Sequence, residues 1–308
     1  MALRMGSRFR RSLRLLAFAA ALASSAYPQG SFNVFTRNYN NQRTGANTSE
    51  TTLTQTNVTA SQFGKLFMLP VDDEVYAGVL YVSDLSIAGG THNVVYIATM
   101  NNTVFAYDAD TLGPPLWVQN FNGTGRPLSY FDVGEGNGTC TNYWANVGIV
   151  GTPVIDGTSD TMYFVTRTVE SGNNVYRLHA INILNGGERA NSPQIIQASV
   201  SGTGDGGSTV TFNATMENQR TALTLSQGVV YIGFGSYCDV TPYHGWVLAY
   251  NATTLAQVGV LMIRRTGARA ESGWPAPVRY WMPVATSTTQ PATARLTGRR
   301  DTANPWSS

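Results

Sequence analysis

The chain has 308 residues, 43% of them hydrophobic and only 12% charged, a composition that excludes an intrinsically disordered protein. Its formal net charge of +2 comes from arginines at the two ends, because between Tyr27 and Val260 eight basic residues stand against sixteen acidic ones, a net charge of −8. An acidic body disfavours nucleic acid as a partner.

Residues 1–26 have the pattern of a secretory signal. Five arginines precede an apolar run from Leu15 to Ala23, and small residues follow up to Ala26, after which we expect cleavage. The alternative is an amphipathic or membrane-spanning helix, but this run of nine residues is far shorter than the roughly 20 needed to cross a bilayer. The sequence therefore predicts a protein that is secreted or periplasmic and does not span a membrane.

Two polar segments follow, and each has two interpretations. Asn41 and Arg43, in NQRTGAN, would bind an anion or carboxylate, or would tie the N-terminal arm to the rest of the fold, which we favour. The triplet Asp72-Asp73-Glu74 would hold a cation such as Ca²⁺ or form a solvated hairpin turn, which we again favour. No spacing of Cys or His residues indicates a metal site, and we predict none.

The body of the chain repeats itself. The strand-like runs VVYIAT, MYFVT and VVYIGF place Tyr96, Tyr163 and Tyr231 at intervals of 67 and 68 residues. Each run is preceded by another apolar segment and is followed by an alternating run that ends in a turn, as in TVFAYDADTLG. Each repeat is therefore predicted to be an antiparallel meander of three or four strands.

A single meander has two faces to bury, so the repeats must pack face to face. We predict an all-β fold, a β-propeller of four-stranded antiparallel blades within residues 27–260, with blades at roughly 65–125, 147–200 and 210–260. The alternatives are a β-sandwich and an open β-solenoid, although a period near 68 residues is long for a solenoid coil.

Long loops rich in Gly, Asn, Ser and Thr begin at Phe121 and Ser201, and loops of this length are functional or disordered. The chain has two cysteines, Cys140 and Cys238. In an oxidising compartment they would form one disulfide, and the alternative is two buried thiols.

Two histidines are candidates for a site. In PYHGW, His244 and Trp246 would face a ligand pocket, or they would cap the sheet as part of a turn, which we favour. His179 alternates within VYRLHAIN and is expected to be a structural histidine of a strand. Spacing alone establishes no Ser-His-Asp or paired-carboxylate arrangement.

The composition changes after Val260 to a tail, residues 261–308, that is rich in Arg and Pro and has no alternating apolar positions. One hypothesis is a basic secreted tail, and the other, which we favour, is a shifted reading frame. One possible choice of codons for this tail, guided by the expected pattern and read with one added nucleotide, yields GNIYYATGNG, which repeats the strand pattern found three times upstream. We therefore expect an open fragment of a longer protein, with about three blades where closure needs roughly four to eight.

The repeat VYIAT…NNTVFAYDADTLG…LW resembles the blade motif of the quinoprotein-type β-propellers, the superfamily of pyrroloquinoline-quinone (PQQ) dehydrogenases and their non-catalytic relatives. Three further segments are similar to a group of secreted bacterial proteins. They are YNNQRTGANTSETTLTQTNV, which begins at Tyr39, and the later FGKLF and PYHGW. The resemblance covers about Phe32 to Val260 and implies the propeller fold, with PQQ and Ca²⁺ as cofactors of the catalytic members. The chain departs from those members because it lacks adjacent cysteines and no acidic residue aligns with their catalytic positions.

Three functions are consistent with these features. The first is a secreted propeller that acts as a binding or interaction platform for an extracellular ligand or protein, without chemistry of its own. The second is a PQQ-dependent oxidoreductase, and the third is a carbohydrate-active propeller, suggested by the acidic body and aromatic loops. The sequence assigns no catalytic residue, and the candidates to face a ligand are Arg43, His244 and Trp246.

Overall fold

The computed structural model describes residues 32–61, 63–129, 132, 146–203, 205, 207–237 and 244–263. These residues form seventeen antiparallel strands and no α-helix, so none of them belongs to a helix that could cross a membrane. The predicted signal at residues 1–26 and both candidate disulfide residues, Cys140 and Cys238, lie outside the described residues.

The strands, in chain order, are β1 (Leu80–Ile87), β2 (Gly90–Ala98), β3 (Thr103–Asp108), β4 (Trp117–Asn120), β5 (Arg126–Ser129), β6 (Asn146–Val147), β7 (Val154–Asp156), β8 (Thr161–Glu170), β9 (Asn173–Asn182), β10 (Gln194–Ile195), β11 (Ser199–Ser201), β12 (Thr209–Thr211), β13 (Glu217–Asn218), β14 (Thr224–Ser226), β15 (Val229–Ser236), β16 (Gly245–Asn251) and β17 (Gln257–Ile263).

Three four-stranded meanders repeat along the chain, and we call them blade 1 (β1–β4), blade 2 (β7–β10) and blade 3 (β14–β17). In each blade, consecutive strands pair antiparallel, for example Tyr96 of β2 with Ala106 of β3. The predicted all-β fold of four-stranded propeller blades is confirmed. The short strands β5, β6 and β11–β13 belong to the connections between blades.

The blades stack through the alternation of their side chains. In β8, Met162 and Phe164 pack on blade 1, whereas Tyr163 and Val165, which point the opposite way, pack on blade 3. Blade 2 is therefore buried on both faces, which explains why its sequence MYFV is continuously apolar. Each such large apolar side chain contributes about 1.5–3 kcal/mol when fully buried.

The three tyrosines of the sequence repeat occupy equivalent places, and two of them link neighbouring blades. The hydroxyl of Tyr96 donates to the carbonyl of Ile183 in blade 2, at 3.0 Å. The hydroxyl of Tyr163 donates to the carbonyl of Ala252 in blade 3, at 2.9 Å. Tyr231, the third member, is partly exposed, and its hydroxyl makes no hydrogen bond to a described residue. We call the first two contacts the tyrosine latches.

The contribution of a tyrosine latch to stability can be tested by comparing Tyr163 with Tyr231, the equivalent tyrosine that forms no latch. Tyr163→Phe leaves the Ala252 carbonyl without its donor, so we expect a loss of about 1–2 kcal/mol in the free energy of unfolding. Tyr231→Phe removes the same atom from a partly exposed position and should change that free energy by less than about 0.5 kcal/mol. Urea denaturation measures both variants, and equal losses in the two would contradict the role of the latch.

The N-terminal arm, residues 32–45, lies along the first strand of every blade. Val34 pairs with Tyr81 of β1, and the carbonyl of Phe35 accepts from the amide of Ile155 in β7, at 2.8 Å. The side chain of Asn41 then donates to the carbonyl of Leu225 in β14, at 2.9 Å. The arm thus covers strand edges that would otherwise expose unpaired backbone groups.

Arg43 fastens the end of this arm to blade 3. Its Nη2 donates to the carbonyl of Leu223, at 2.8 Å, and to Oγ1 of Thr224, at 2.9 Å. Its Nη1 donates within the arm, to Oγ1 of Thr36 and to the carbonyl of Arg37. These contacts agree with the interpretation of Asn41 and Arg43 as ties of the arm, and they place Arg43 against the protein's own backbone.

Three expectations about local structure need correction. Part of the second long loop is a hairpin, since β11 pairs with β12, and part of the first, β5, extends β8. Strands do not stop at Val260, because β17 continues to Ile263, whose neighbour Met262 pairs with Trp246. The rest of the tail, residues 264–308, lies outside the described residues.

The third correction concerns the acidic triplet Asp72-Asp73-Glu74, which is not a hairpin turn because no strand precedes it among residues 32–61 and 63–71. The Asp72 carboxylate instead accepts from Oγ1 of Thr99 and from Nδ2 of Asn101, each at 2.8 Å. It therefore fixes the hinge between β2 and β3 of blade 1.

Candidate functional site

The strand order brings the long connections of the molecule to one end. The first and third strands of each blade begin at this end, and the second and fourth strands finish at it, so the connection to the next blade also starts here. The described parts of the connections between blades, residues 121–129, 146–153, 196–203 and 207–223, therefore lie there together with the turns between second and third strands. We call this the loop end, and such ends of a rigid scaffold commonly carry function.

Among the described acids of the loop end, Glu217, in β13, has the pKa that is shifted furthest from its usual value. Its side chain is buried, with 1% exposure, and Oε1 accepts from the amide of His244, at 2.9 Å, and from Nε1 of Trp246, at 3.3 Å. Burial raises the pKa of Glu217 to about 8, against the weaker opposing effect of these hydrogen bonds. The carboxyl group is thus mostly neutral at pH 7, and Oε2 has no hydrogen-bond partner among the described residues.

Arg167, in β8, lies close enough to Glu217 to act on its charge, and its side chain is also buried, with 1% exposure. Its Nη2 donates to the carbonyls of Ala214 and Thr215, at 2.8 and 3.0 Å. The guanidinium carbon is 5.0 Å from the ring centroid of Tyr176 and 4.7 Å from that of Tyr237, which is the geometry of a cation–π contact. In the part of the chain that the structure describes, Nε and Nη1 of Arg167 have no hydrogen-bond partner.

Of the three residues that the sequence predicted to face a ligand, two belong to this cluster. Trp246 is buried and serves Glu217 as a donor, so it does not face solvent. His244 is more accessible, and its Nε2 lies 2.8 Å from Oδ1 of Asp205, with 11% and 32% of the two side chains exposed. Arg43 is held by the N-terminal arm and blade 3 instead.

Sequence reasoning missed Glu217 and Arg167. Arg167 gave a usable signal, because it follows Tyr163 and Val165 at alternate positions and is therefore a charge on the face that packs on blade 3. No sequence pattern pointed to Glu217, because it lies in a long connection between blades and the pairing of β13 with β15 places it in the site.

His179 forms a relay with its neighbours. Its Nε2 lies 2.9 Å from Oγ1 of Thr166, its Nδ1 lies 2.7 Å from Oε1 of Glu188, and its ring stacks on Phe164. A hydroxyl, an imidazole and a carboxylate in this order resemble a nucleophilic relay. Thr166 has no exposed surface and His179 has 2%, so a substrate cannot reach the hydroxyl, and the arrangement is structural.

The described residues do not fit the Ca²⁺ and quinone centre that the resemblance implies. No three or more His, Cys, Asp or Glu side chains among them converge as metal ligands would. Asp72 is occupied by hinge donors, and Glu217, which burial keeps neutral at pH 7, already accepts two N–H groups. A hard cation needs several ionised or carbonyl oxygens, and these two acids do not supply them.

With the blades and their loop end in view, the chain is an all-β protein built from propeller-type blades. No family model matches it, and no curated protein matches it. Among solved structures it is similar to the quinohemoprotein alcohol dehydrogenase from Comamonas testosteroni, with 20% identity and a TM-score of 0.36. That match covers 62% of this chain and 21% of the enzyme, so the chain spans about a fifth of the enzyme's length.

Proposed function

We propose that the protein is a secreted binding module that recognises an extracellular ligand at its loop end and has no catalytic chemistry of its own. The observation that carries the proposal is the buried cluster of Arg167, Glu217 and Trp246 beneath the partly exposed pair of His244 and Asp205. Buried polar atoms without partners are costly, and they gather at binding sites. The relay at His179, whose order of groups would suggest acyl transfer, is buried and closed to substrate.

The site offers both kinds of recognition group. The pair of His244 and Asp205 supplies a polar rim that a ligand can reach, and the buried Arg167, packed on Tyr176 and Tyr237, supplies a charged and aromatic support for that rim. A few convergent polar groups on an apolar support are typical of ligand sites. A ligand would contact the pair of His244 and Asp205 first, so a substitution in this pair tests the proposed binding.

Binding can be measured with immobilised peptidoglycan, a polyuronate and a neutral glucan as probes. We expect the protein to bind at least one of them and His244→Ala to weaken that binding at least tenfold, which is the loss expected for a pair that contacts ligand. His92→Ala is the matched control, because His92 pairs with Asp108 in blade 1, at 2.6 Å, away from the loop end. Its affinity should stay within about twofold of the wild type.

Two results would overturn the proposal. The first is equal binding by His244→Ala and His92→Ala. The second is reduction of an artificial electron acceptor by the protein after incubation with PQQ and Ca²⁺, together with quinone absorbance in the purified protein. That outcome would identify a PQQ-dependent oxidoreductase instead.

A further inference from the structure

We propose that Arg167 binds a small anion, a halide or a small carboxylate such as formate, beside its guanidinium, which lies against the rings of Tyr176 and Tyr237. The inference deepens the proposed function, because it names the chemical group that the loop end would recognise. It stands on the charge, the burial and the unused donors of this one side chain.

The first step is the charge balance around Arg167. The guanidinium is buried, and no carboxylate among the described residues is close enough to form a salt bridge with it. Arg177 on the neighbouring strand shows the usual solution, since its Nη2 lies 2.6 Å from Oε2 of Glu170. A buried cation without a counter-charge costs several kcal/mol, and an anion at Arg167 would remove that cost.

The second step is the set of donors. Two carbonyl oxygens satisfy Nη2, but Nε and Nη1 have no acceptor in the described part of the chain. Charged N–H groups bind carboxylates and halides more strongly than they bind neutral acceptors. Glu217 adds to the same preference, because burial raises its pKa to about 8 and the neutral carboxyl group offers an O–H rather than a negative charge.

The third step is the shape of the site. The rings of Tyr176 and Tyr237 both lie against the guanidinium, so they restrict the movement of its plane. Fixing the plane in advance lowers the entropy cost of binding. The body of the protein carries a net charge of −8 between Tyr27 and Val260, so a general positive surface does not attract the anion, and selection rests on Arg167 itself.

The test uses the melting temperature of the full chain at constant ionic strength, with chloride or formate replacing a bulky organic sulfonate. Binding to the native state should raise the melting temperature of the wild type in a saturable way, by about 5 °C at a hundredfold excess over the dissociation constant. Arg167→Met should show no rise and should be at least as stable as the wild type without anion. Arg177→Met, the control whose arginine has a carboxylate partner, should respond as the wild type does.

Crystals grown in bromide give a second readout that needs no variant. We expect an anomalous peak at hydrogen-bond distance from Nε or Nη1 of Arg167. A response to chloride and formate identifies a site for free ions, and a response to formate alone identifies a site for a carboxylate group. Equal responses of the wild type and Arg167→Met, or no response to either anion, would overturn the inference while leaving polymer binding at His244 intact. A water in place of the bromide peak would overturn it as well if the wild type responds to chloride.

Discussion

Glu217→Gln should make the protein more stable than the wild type at pH 9, by up to about 4 kcal/mol, and should leave its stability at pH 5 nearly unchanged. The sign follows from the raised pKa of Glu217, about 8 in the folded state against 4.5 for the free group. Between those pH values the native state keeps a proton that the unfolded state releases, so the free energy of unfolding of the wild type falls as pH rises. Glutamine has the same shape and cannot ionise, so the variant should not lose this stability.

Urea denaturation at pH 5, 7 and 9 measures the effect. Glu170→Gln is the control of opposite sign, because the salt bridge with Arg177 lowers the pKa of Glu170. The ionised Glu170 stabilises the native state above its unfolded pKa, and this stabilisation is lost as pH falls. The free energy of unfolding of Glu170→Gln should therefore be lower than that of the wild type at pH 7 and should become equal to it at low pH. Parallel pH profiles of the wild type and Glu217→Gln would show that Glu217 is not buried as described.

Arg43→Ala should lower the free energy of unfolding by about 2–3 kcal/mol, the second large effect that the structure predicts. The guanidinium donates to Leu223 and Thr224 of blade 3 and to two acceptors within the arm. Hydrogen bonds from charged groups are worth about 1.5–3 kcal/mol each, and partial exposure of Arg43 reduces the sum. Loss of these bonds releases the arm from the first strand of blade 3.

Two measurements separate this effect from a loss of charge. Arg43→Lys keeps the charge but lacks the planar fork of donors, so it should recover less than half of the lost stability. Arg37→Ala, in the same exposed arm, keeps the backbone carbonyl that accepts from Arg43 and should change stability by less than about 0.5 kcal/mol. Proteolysis of the arm should become faster in Arg43→Ala alone, and equal rates in the three variants would refute the tie.

Most of the fold could be predicted from the sequence repeat. The tyrosine spacing and the alternating runs predicted the central strands of all three blades, because a side-chain period of two and a polar turn are local properties. The connections were harder to predict: β13 holds only two residues, Glu217 and Asn218, and is defined by pairing with β15 rather than by its own pattern. The end of β17 was placed too early, because Arg-rich sequence follows directly after Ile263.

The site was predicted in part, for a similar reason. His244 and Trp246 stood out because His and Trp in a Gly turn are chemically conspicuous. Their acceptor, Glu217, lies 27 and 29 residues away in sequence, and no local sequence pattern predicts that contact. Burial and charge neutralisation are properties of the folded environment, so neither the raised pKa of Glu217 nor the unused donors of Arg167 can be read from residue order.

The tyrosine latches give the stack of blades a polarity. In both latches the hydroxyl comes from the earlier blade and the carbonyl from a turn of the later one, so donors point along the chain and acceptors point back. A blade in the opposite orientation, or one without the tyrosine, would lose the hydrogen bond to the carbonyl of the next blade. The order in which the three blades assemble is therefore favoured by two hydroxyl groups, one at each junction between neighbouring blades.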